Sequence, residues 1–199
     1  MITDESLKNI VIYEILIPSL HRLYEVDYIN IQYGVSERNI CARLAHHMEN
    51  IMREYDYKYG YSVFDNCYAD VEYNRMEDGH LKYCADKIKH RKYMVADLLI
   101  QERGYRNLLA VEMKRKGNYD GVNKDRERLK EIVSLNPPKS NHCVFGTLVG
   151  AFVRYSEDWV KIYQYEDFHG HGKQKQIITI KYNRGLKLLE PNCIYKLCS

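Results

Sequence analysis

The sequence predicts an α/β protein whose core elements run helix, strand, strand, strand, helix, strand. Three observations carry this reading. An amphipathic helical stripe opens after Ser36. Two β-type apolar runs, residues 94–101 and 107–113, flank a short polar segment holding Gly104. A second amphipathic helix after Gly121 leads into a nearly continuous apolar run within residues 142–155. A chain of 199 residues suffices for one domain with a proper core, so residues 1–199 are taken as one unit.

Residues 6–24 place Leu7, Ile10, Val11, Glu14 and Ile15 at helical spacing, and Pro18 is expected to end or kink that helix. Residues 28–33 read as a short extended piece before Gly34. Ser36 is a good N-cap for a helix with Ile40, Leu44, Met48 and Ile51 on one stripe. Glu37 falls on the same stripe. The helix dipole favours an acid in the first turn, but the dipole does not explain its inward direction. His46 and His47 are adjacent, hence on different faces, and read as surface or satisfied histidines.

Residues 61–73 read as a strand, interrupted near Asp65 and Asn66. Residues 76–91 form a charged connection, followed directly by Lys92; the cluster Lys82, Lys87, Lys89, His90, Arg91 and Lys92 is either a solvated loop or short helix, or a set of phosphate contacts. The hairpin of residues 94–113 follows. Period-two alternation puts Leu108, Ala110, Glu112 and Lys114 on one face, Leu109, Val111 and Met113 on the other, and Asp97 with Val95, Leu99 and Gln101. A turn centred between Gly104 and Tyr105 sets Asp97 across from Glu112. Two carboxylates buried together raise each other's pKa and lose hydration, and a divalent cation resolves the conflict. Oxygen-only donors suit Mg²⁺, with Mn²⁺ as a substitute.

Beyond Lys116 and a glycine-rich turn, Val122, Asp125, Leu129, Ile132 and Val133 share one helix face, with Lys124 and Arg128 on a neighbouring one; the helix ends before Pro137 and Pro138. Residues 142–155 read as a buried strand. Residues 159–165 and 176–182 read as two more, joined by residues 168–172, a mobile loop in which His169 and His171 make a weak zinc site. Residues 157–199 form a C-terminal β extension that offers a recognition element or a homodimer interface.

The net charge of +3 and pI near 8.4 permit a polyanionic partner without demanding one. Six cysteines without a CxxC pair fit free thiols in a reducing cytosol. The start of the chain has no basic-then-apolar leader, and no apolar run reaches membrane length, so a soluble cytoplasmic protein with no membrane partner is expected.

Asp97 followed by Glu112-Met113-Lys114 resembles the PD-(D/E)xK nuclease signature, with Ala96 where the motif has proline; with the αβββαβ order, the resemblance covers roughly residues 36–155. It implies a restriction-endonuclease-like core with a mixed central sheet flanked by helices, plus an extra N-terminal helix and C-terminal strands. It also implies metal-dependent hydrolysis of phosphodiester bonds in nucleic acid, DNA foremost. Asp97, Glu112 and the Met113 carbonyl would hold the metal, and Lys114 would position or deprotonate the attacking water. Glu37 would approach from the first core helix. The segment at residues 70–75, DVEYNR, is similar to one in uncharacterised bacterial relatives of these nucleases, which would bring Glu72 and Arg75 to the cleft. Lys116, Lys124 and Arg128 are candidate backbone contacts. Two other readings stand beside this one: a non-catalytic nucleic-acid-binding or assembly subunit that keeps the fold, and a structural ion-pair cluster in an unrelated α/β protein.

Overall fold

The computed structural model describes residues 2–60, 62–72, 83–85, 91–93, 95–102, 106–134, 146–186, 188–190 and 196–197. Helix α1 (Asp4–Asn9) begins at Thr3, whose hydroxyl accepts the Ser6 N–H, and passes unbroken through a π-helical stretch (Ile10–Leu16) into α2 (Ile17–Val26). Pro18, expected to end or kink this helix, is carried inside it. Proline has no N–H and its ring crowds the carbonyl four residues back. The π-helical pairing relieves this: the Ile17 N–H reaches five residues back to the Ile12 carbonyl, one position before the proline. Val11, Ile12, Ile15, Leu16, Leu20 and Leu23 are buried along the whole length, so packing holds the irregular turn in place.

Residues 28–33 were expected to be extended, but a single helical turn, α3 (Tyr28–Gln32), forms there. The alternation of Ile29 and Ile31 suggests a strand, yet only Ile31 is buried, and Ile29 is 49 % exposed. Asp27 ends α2, and its carboxylate accepts bonds from Arg43 and His47, which pin the corner between the helices. Helix α4 (Glu37–Tyr59) starts where expected: the Ser36 hydroxyl accepts the Asn39 N–H, and Gly60, at φ +66°, closes the other end. Ile40, Leu44, Met48 and Ile51 all face the core.

The strands are β1 (Cys67–Val71), β2 (Tyr83–Ala85), β3 (Arg91–Tyr93), β4 (Leu98–Glu102), β5 (Arg106–Arg115), β6 (Thr147–Tyr155), β7 (Trp159–Phe168), β8 (His171–Asn183), β9 (Leu188–Glu190) and β10 (Lys196–Leu197), with α5 (Val122–Ser134) between β5 and β6. Eight of them form one sheet in the order β1-β4-β5-β6-β7-β8, with β9 and β10 both pairing with β8. Every pairing in it is antiparallel except β5 with β6, which are parallel and joined through α5. The sheet is therefore mixed, and its elements appear in the expected order of helix, three strands, helix, strand. Strands β7 to β10 continue this same sheet and do not form an appended layer.

Three local expectations change. Among the described residues of 61–73 the expected strand is limited to β1, because residues 63–66 form bends and turns in which the Asp56 carboxylate takes the N–H groups of Val63 and Phe64. In the charged connection, β2 and β3 pair as a separate two-stranded sheet, a sheet signal hidden by the lysine-rich composition. The histidine and glycine segment at 168–172 is a two-residue turn, His169 at φ +55° and Gly170 at φ +84°, inside a continuous hairpin pairing Phe168 with His171.

Helices α2 and α4 and the π-helical stretch cover one face of the sheet, over Leu98, Ile100, Leu109, Val111, Met113, Val149, Ala151, Val153, Ile178 and Ile180. Helix α5 covers part of the other, packing Leu129, Ile132 and Val133 onto Leu99, Ala110, Phe152 and Tyr165. It sits very close: a Cβ at Gly150 would meet Val133 Cγ1 at 3.2 Å and Leu129 Cδ2 at 3.3 Å. Among the described residues no helix is long and apolar enough to cross a membrane.

Candidate functional site

The site forms where β4 ends and β5 runs on. Leu98 pairs with Val111, Leu99 with Ala110 and Ile100 with Leu109, and the same register carries on to place Asp97 opposite Glu112, as the alternation predicts. Toward the turn the register slips by one, since Gln101 pairs with Asn107. Leu108 is the extra residue of a β-bulge, so it joins the same core layer as Leu109 and not the face of Ala110 and Glu112.

Strand β4 begins at Leu98, so among the described residues β5 beyond Val111 has no strand beside it on that edge. Two carboxylates take the vacated places. Asp97 Oδ2 accepts the Met113 N–H at 2.8 Å, and Glu37 Oε1 accepts the Arg115 N–H at 3.0 Å together with Asn118 Nδ2 at 3.0 Å. The Met113 carbonyl leaves the strand on the same side as its N–H, toward Asp97. The inward placement of Glu37 thus has a structural cause: it caps a strand edge from the start of α4.

Glu112 and Lys114 point to the α5 face. There α5 contributes two side chains from its first turns, Asp125 and Arg128. The Arg128 guanidinium donates to Glu112 Oε1 at 2.8 Å, to Asp125 Oδ1 at 2.7 Å and to the Val95 carbonyl at 2.7 Å. The Lys114 ammonium lies 3.4 Å from Glu37 Oε2 and 3.5 Å from Asp125 Oδ2. Four acids, at 37, 97, 112 and 125, therefore meet two bases, Lys114 and Arg128, leaving a formal excess of two negative charges.

Burial pushes the Glu112 carboxyl well above the usual carboxylate range; neighbouring Asp97 adds to the rise, and Arg128 opposes it. Burial raises Asp97 as well, against the Met113 N–H and Lys114. Asp97 and Glu112 are close enough for each carboxylate to oppose the charge of the other. Desolvation pulls Lys114 down, but Glu37, Asp125 and Asp97 outweigh it, so its pKa lies above the ordinary lysine value and it stays an ammonium. That charge suits orienting a polar group or offsetting developing negative charge; it does not suit taking a proton.

The donor set fits a hard divalent cation. Asp97, Glu112 and the Met113 carbonyl offer only oxygen, and a cation between the two carboxylates would relieve their repulsion. Asp125 Oδ2 is buried with no hydrogen-bond donor and lies 3.5 Å from the Lys114 ammonium. Among the described residues no three acidic, imidazole or thiol side chains converge tightly enough to make a cage of side chains alone. A metal here would rely on two carboxylates, one main-chain oxygen and water, a coordination habit of Mg²⁺.

Of the other expected contacts, Lys116 and Lys124 are exposed at the end of β5 and on α5. Arg128, expected to reach a nucleic-acid backbone, is instead committed to Glu112 and Asp125, because its neighbouring helix face turns onto the buried acids. Arg75 and the side chain of Lys92 lie outside the described residues. Glu72, at φ +51°, is paired with Arg38 at 3.2 Å. Asp125 is the site residue that sequence reasoning missed, although its signal was present: an acid on the apolar stripe of Leu129 and Ile132, the same signal that singled out Glu37. A cavity of about 610 Å³ lies elsewhere, between the end of α4 and the start of β1, lined by Glu49, Arg53, Asp56, Tyr57, Phe64 and Tyr68, and holds none of the four acids.

Fold and site together define an α/β protein with a buried acid and base cluster at the open edge of a mixed sheet. No protein-family model, no curated protein and no solved structure matches the chain.

Proposed function

We propose that this protein is a Mg²⁺-dependent nuclease of restriction-endonuclease-like fold that hydrolyses phosphodiester bonds, acting as an endonuclease on DNA, with Mn²⁺ able to substitute. The observation behind this reading is the meeting of Asp97, Glu112 and Lys114 at the uncovered edge of β5, in the register and chain order that the PD-(D/E)xK pattern requires. Asp97, Glu112 and the Met113 carbonyl would hold the ion. A bound Mg²⁺ supplies a Lewis acid that makes water nucleophilic and stabilises charge on phosphorus-bound oxygen. Lys114, kept charged between Glu37 and Asp125, orients the attacking water and offsets charge growing on the phosphate. Glu37 fixes where that ammonium sits, since the Arg115 N–H and Asn118 hold its other oxygen. Lys116 and Lys124 are placed to meet phosphates outside the centre.

The test is cleavage of supercoiled plasmid with Mg²⁺ or Mn²⁺ and an EDTA control, using wild type, Glu112→Gln and Lys114→Met. Undiminished cleavage by either purified variant rejects the assignment. One observation favours a second reading, a nucleic-acid-binding subunit without turnover: Arg128 at 2.8 Å already neutralises Glu112. Binding without cleavage in the same assay selects it.

A further inference from the structure

We infer that the sheet face beside the acidic cluster, where Lys114, Arg154 and Lys161 form one cross-strand row next to Trp159, binds the backbone of an unpaired nucleic-acid strand. The register makes the row: Lys114 pairs with Arg154 across β5 and β6, Arg154 with Lys161 across β6 and β7, and Lys161 with Thr179 across β7 and β8. Residues paired this way share a face, and neighbouring strands lie about 4.8 Å apart, so the three cations span about 10 Å starting from Lys114.

This part of the face is open. On β7, Val160, Ile162 and Gln164 are buried while Trp159, Lys161 and Tyr163 keep partial exposure; on β8, Ile178 and Ile180 are buried while Ile177, Thr179 and Lys181 are not. The inward residues meet the layer of α2 and α4. Helix α5 packs on the opposite face over Phe152, Gly150 and Tyr165 and reaches as far as Tyr163, over whose ring Arg126 lies at 5.2 Å.

Lys114 is paired with Glu37 and Asp125, but the two outer members of the row lack counter-ions. Among the described residues neither Arg154 nor Lys161 has a carboxylate partner; Arg154 lies over the Tyr119 ring at 5.1 Å and Lys161 over the Trp159 ring at 5.3 Å. Arg154 Nε is buried with no hydrogen-bond acceptor. The nearest acids are otherwise engaged. Glu157 and Asp158, at the β6–β7 turn, are taken by Arg184, and Glu190, paired with Lys181, holds Asn183.

Arg154 and Lys161, adjacent and without carboxylate partners, repel one another, and a polyanion is the partner that relieves them. The rings decide which polyanion. Tyr119 is 70 % exposed, and Trp159 stands beside the cations, an interleaving that suits bases free of a duplex to stack. The strand's direction, with its phosphate at Lys114, rests on the nuclease reading; the binding surface does not.

Fluorescence anisotropy in EDTA, which prevents turnover, measures the affinity of wild type, Arg154→Gln/Lys161→Gln, Trp159→Ala and Trp159→Phe for a labelled oligothymidylate and a duplex of equal length. Circular dichroism confirms that each variant is folded, and Lys161→Gln alone, at a partly exposed position, serves if the double variant is not. The wild type should prefer the single strand. Its slope of log affinity against log salt should shrink by about 1.4 in the double variant, about 0.7 for each lost phosphate contact. Trp159→Ala should weaken binding about 5- to 150-fold, with most of the affinity kept in Trp159→Phe. An unchanged slope in the folded double variant, or no binding of the oligothymidylate by wild type, overturns the proposal. Plasmid cleavage by the wild type, scored separately, tells failure of this surface from failure of the nuclease assignment.

Discussion

Glu112 is 1 % exposed, and its charge is balanced by a guanidinium arriving from another element. Arg128→Ala strands that carboxylate and takes one donor from Asp125 as well. Removing one partner of a buried ion pair costs about 3 to 5 kcal/mol. Arg128 is itself 24 % exposed, which puts the loss at the low end, about 3 kcal/mol. For a chain of this size each kcal/mol lowers the melting temperature by about 2 to 4 °C, so the variant should melt about 6 to 12 °C below wild type at neutral pH in chelator. Adding Mg²⁺ supplies the second half of the test. A cation bound between Asp97 and Glu112 replaces the missing positive charge, so Mg²⁺ should raise the melting temperature of Arg128→Ala more than that of wild type. Thermal melts followed by circular dichroism read both effects. A variant within about 2 °C of wild type in chelator refutes the buried-pair reasoning by the same conversion. A full loss that Mg²⁺ leaves untouched refutes the metal.

Lys114→Met should lower plasmid cleavage by about 10² to 10⁴ with the fold retained, as gel assays alongside circular dichroism will show. Gly150→Ala drives a methyl group against Val133 and Leu129; overpacking of this kind costs about 1 to 3 kcal/mol, read as a lower urea midpoint. Ser36→Ala removes the acceptor for the Asn39 N–H and should cost about 1 kcal/mol in the same measurement. Burial pulls the Asp27 pKa up, but hydrogen bonds from His47 and Arg43 outweigh it and hold the carboxyl below its ordinary value. A depressed folded-state pKa contributes stability above the ordinary carboxylate range that is lost as pH falls through the folded value. The stability gap between wild type and Asp27→Asn should therefore narrow on acidification, and urea midpoints at falling pH that keep the gap constant contradict this.

The parts of the site that lie on strong periodic patterns were legible beforehand. Ser36 and the stripe of Ile40, Leu44 and Met48 place α4, and strand alternation with the assumed turn places Asp97 opposite Glu112. What escaped was decided by partners distant in sequence. Ile29 and Ile31 alternate like a strand, but the corner set by Asp27, Arg43 and His47 makes a helical turn there. Pro18 interrupts the pattern of a helix that packing then carries through a π turn. Arg128 looked like a surface cation because the acid it serves, Glu112, is sixteen residues away on another element. Asp125 was visible on its stripe, yet nothing local announces that an acid there will meet Lys114.

Strand β5 answers to two neighbours that count differently. Along β6, the step from Asn107 to Leu109 matches Thr147 to Val149 residue for residue, while along β4 it spans only Gln101 to Ile100. The surplus is absorbed at Leu108, so beyond it β5 keeps one steady register with both neighbours, Val111 lying beside Leu98 on one side and Ala151 on the other. Deleting Leu108 would mend the ladder to β4 while sliding the outer end of β5 along β6, pulling Asn107 off the Gly146 carbonyl it holds at 3.0 Å. The irregular residue works as an expansion joint between two ladders of unequal count.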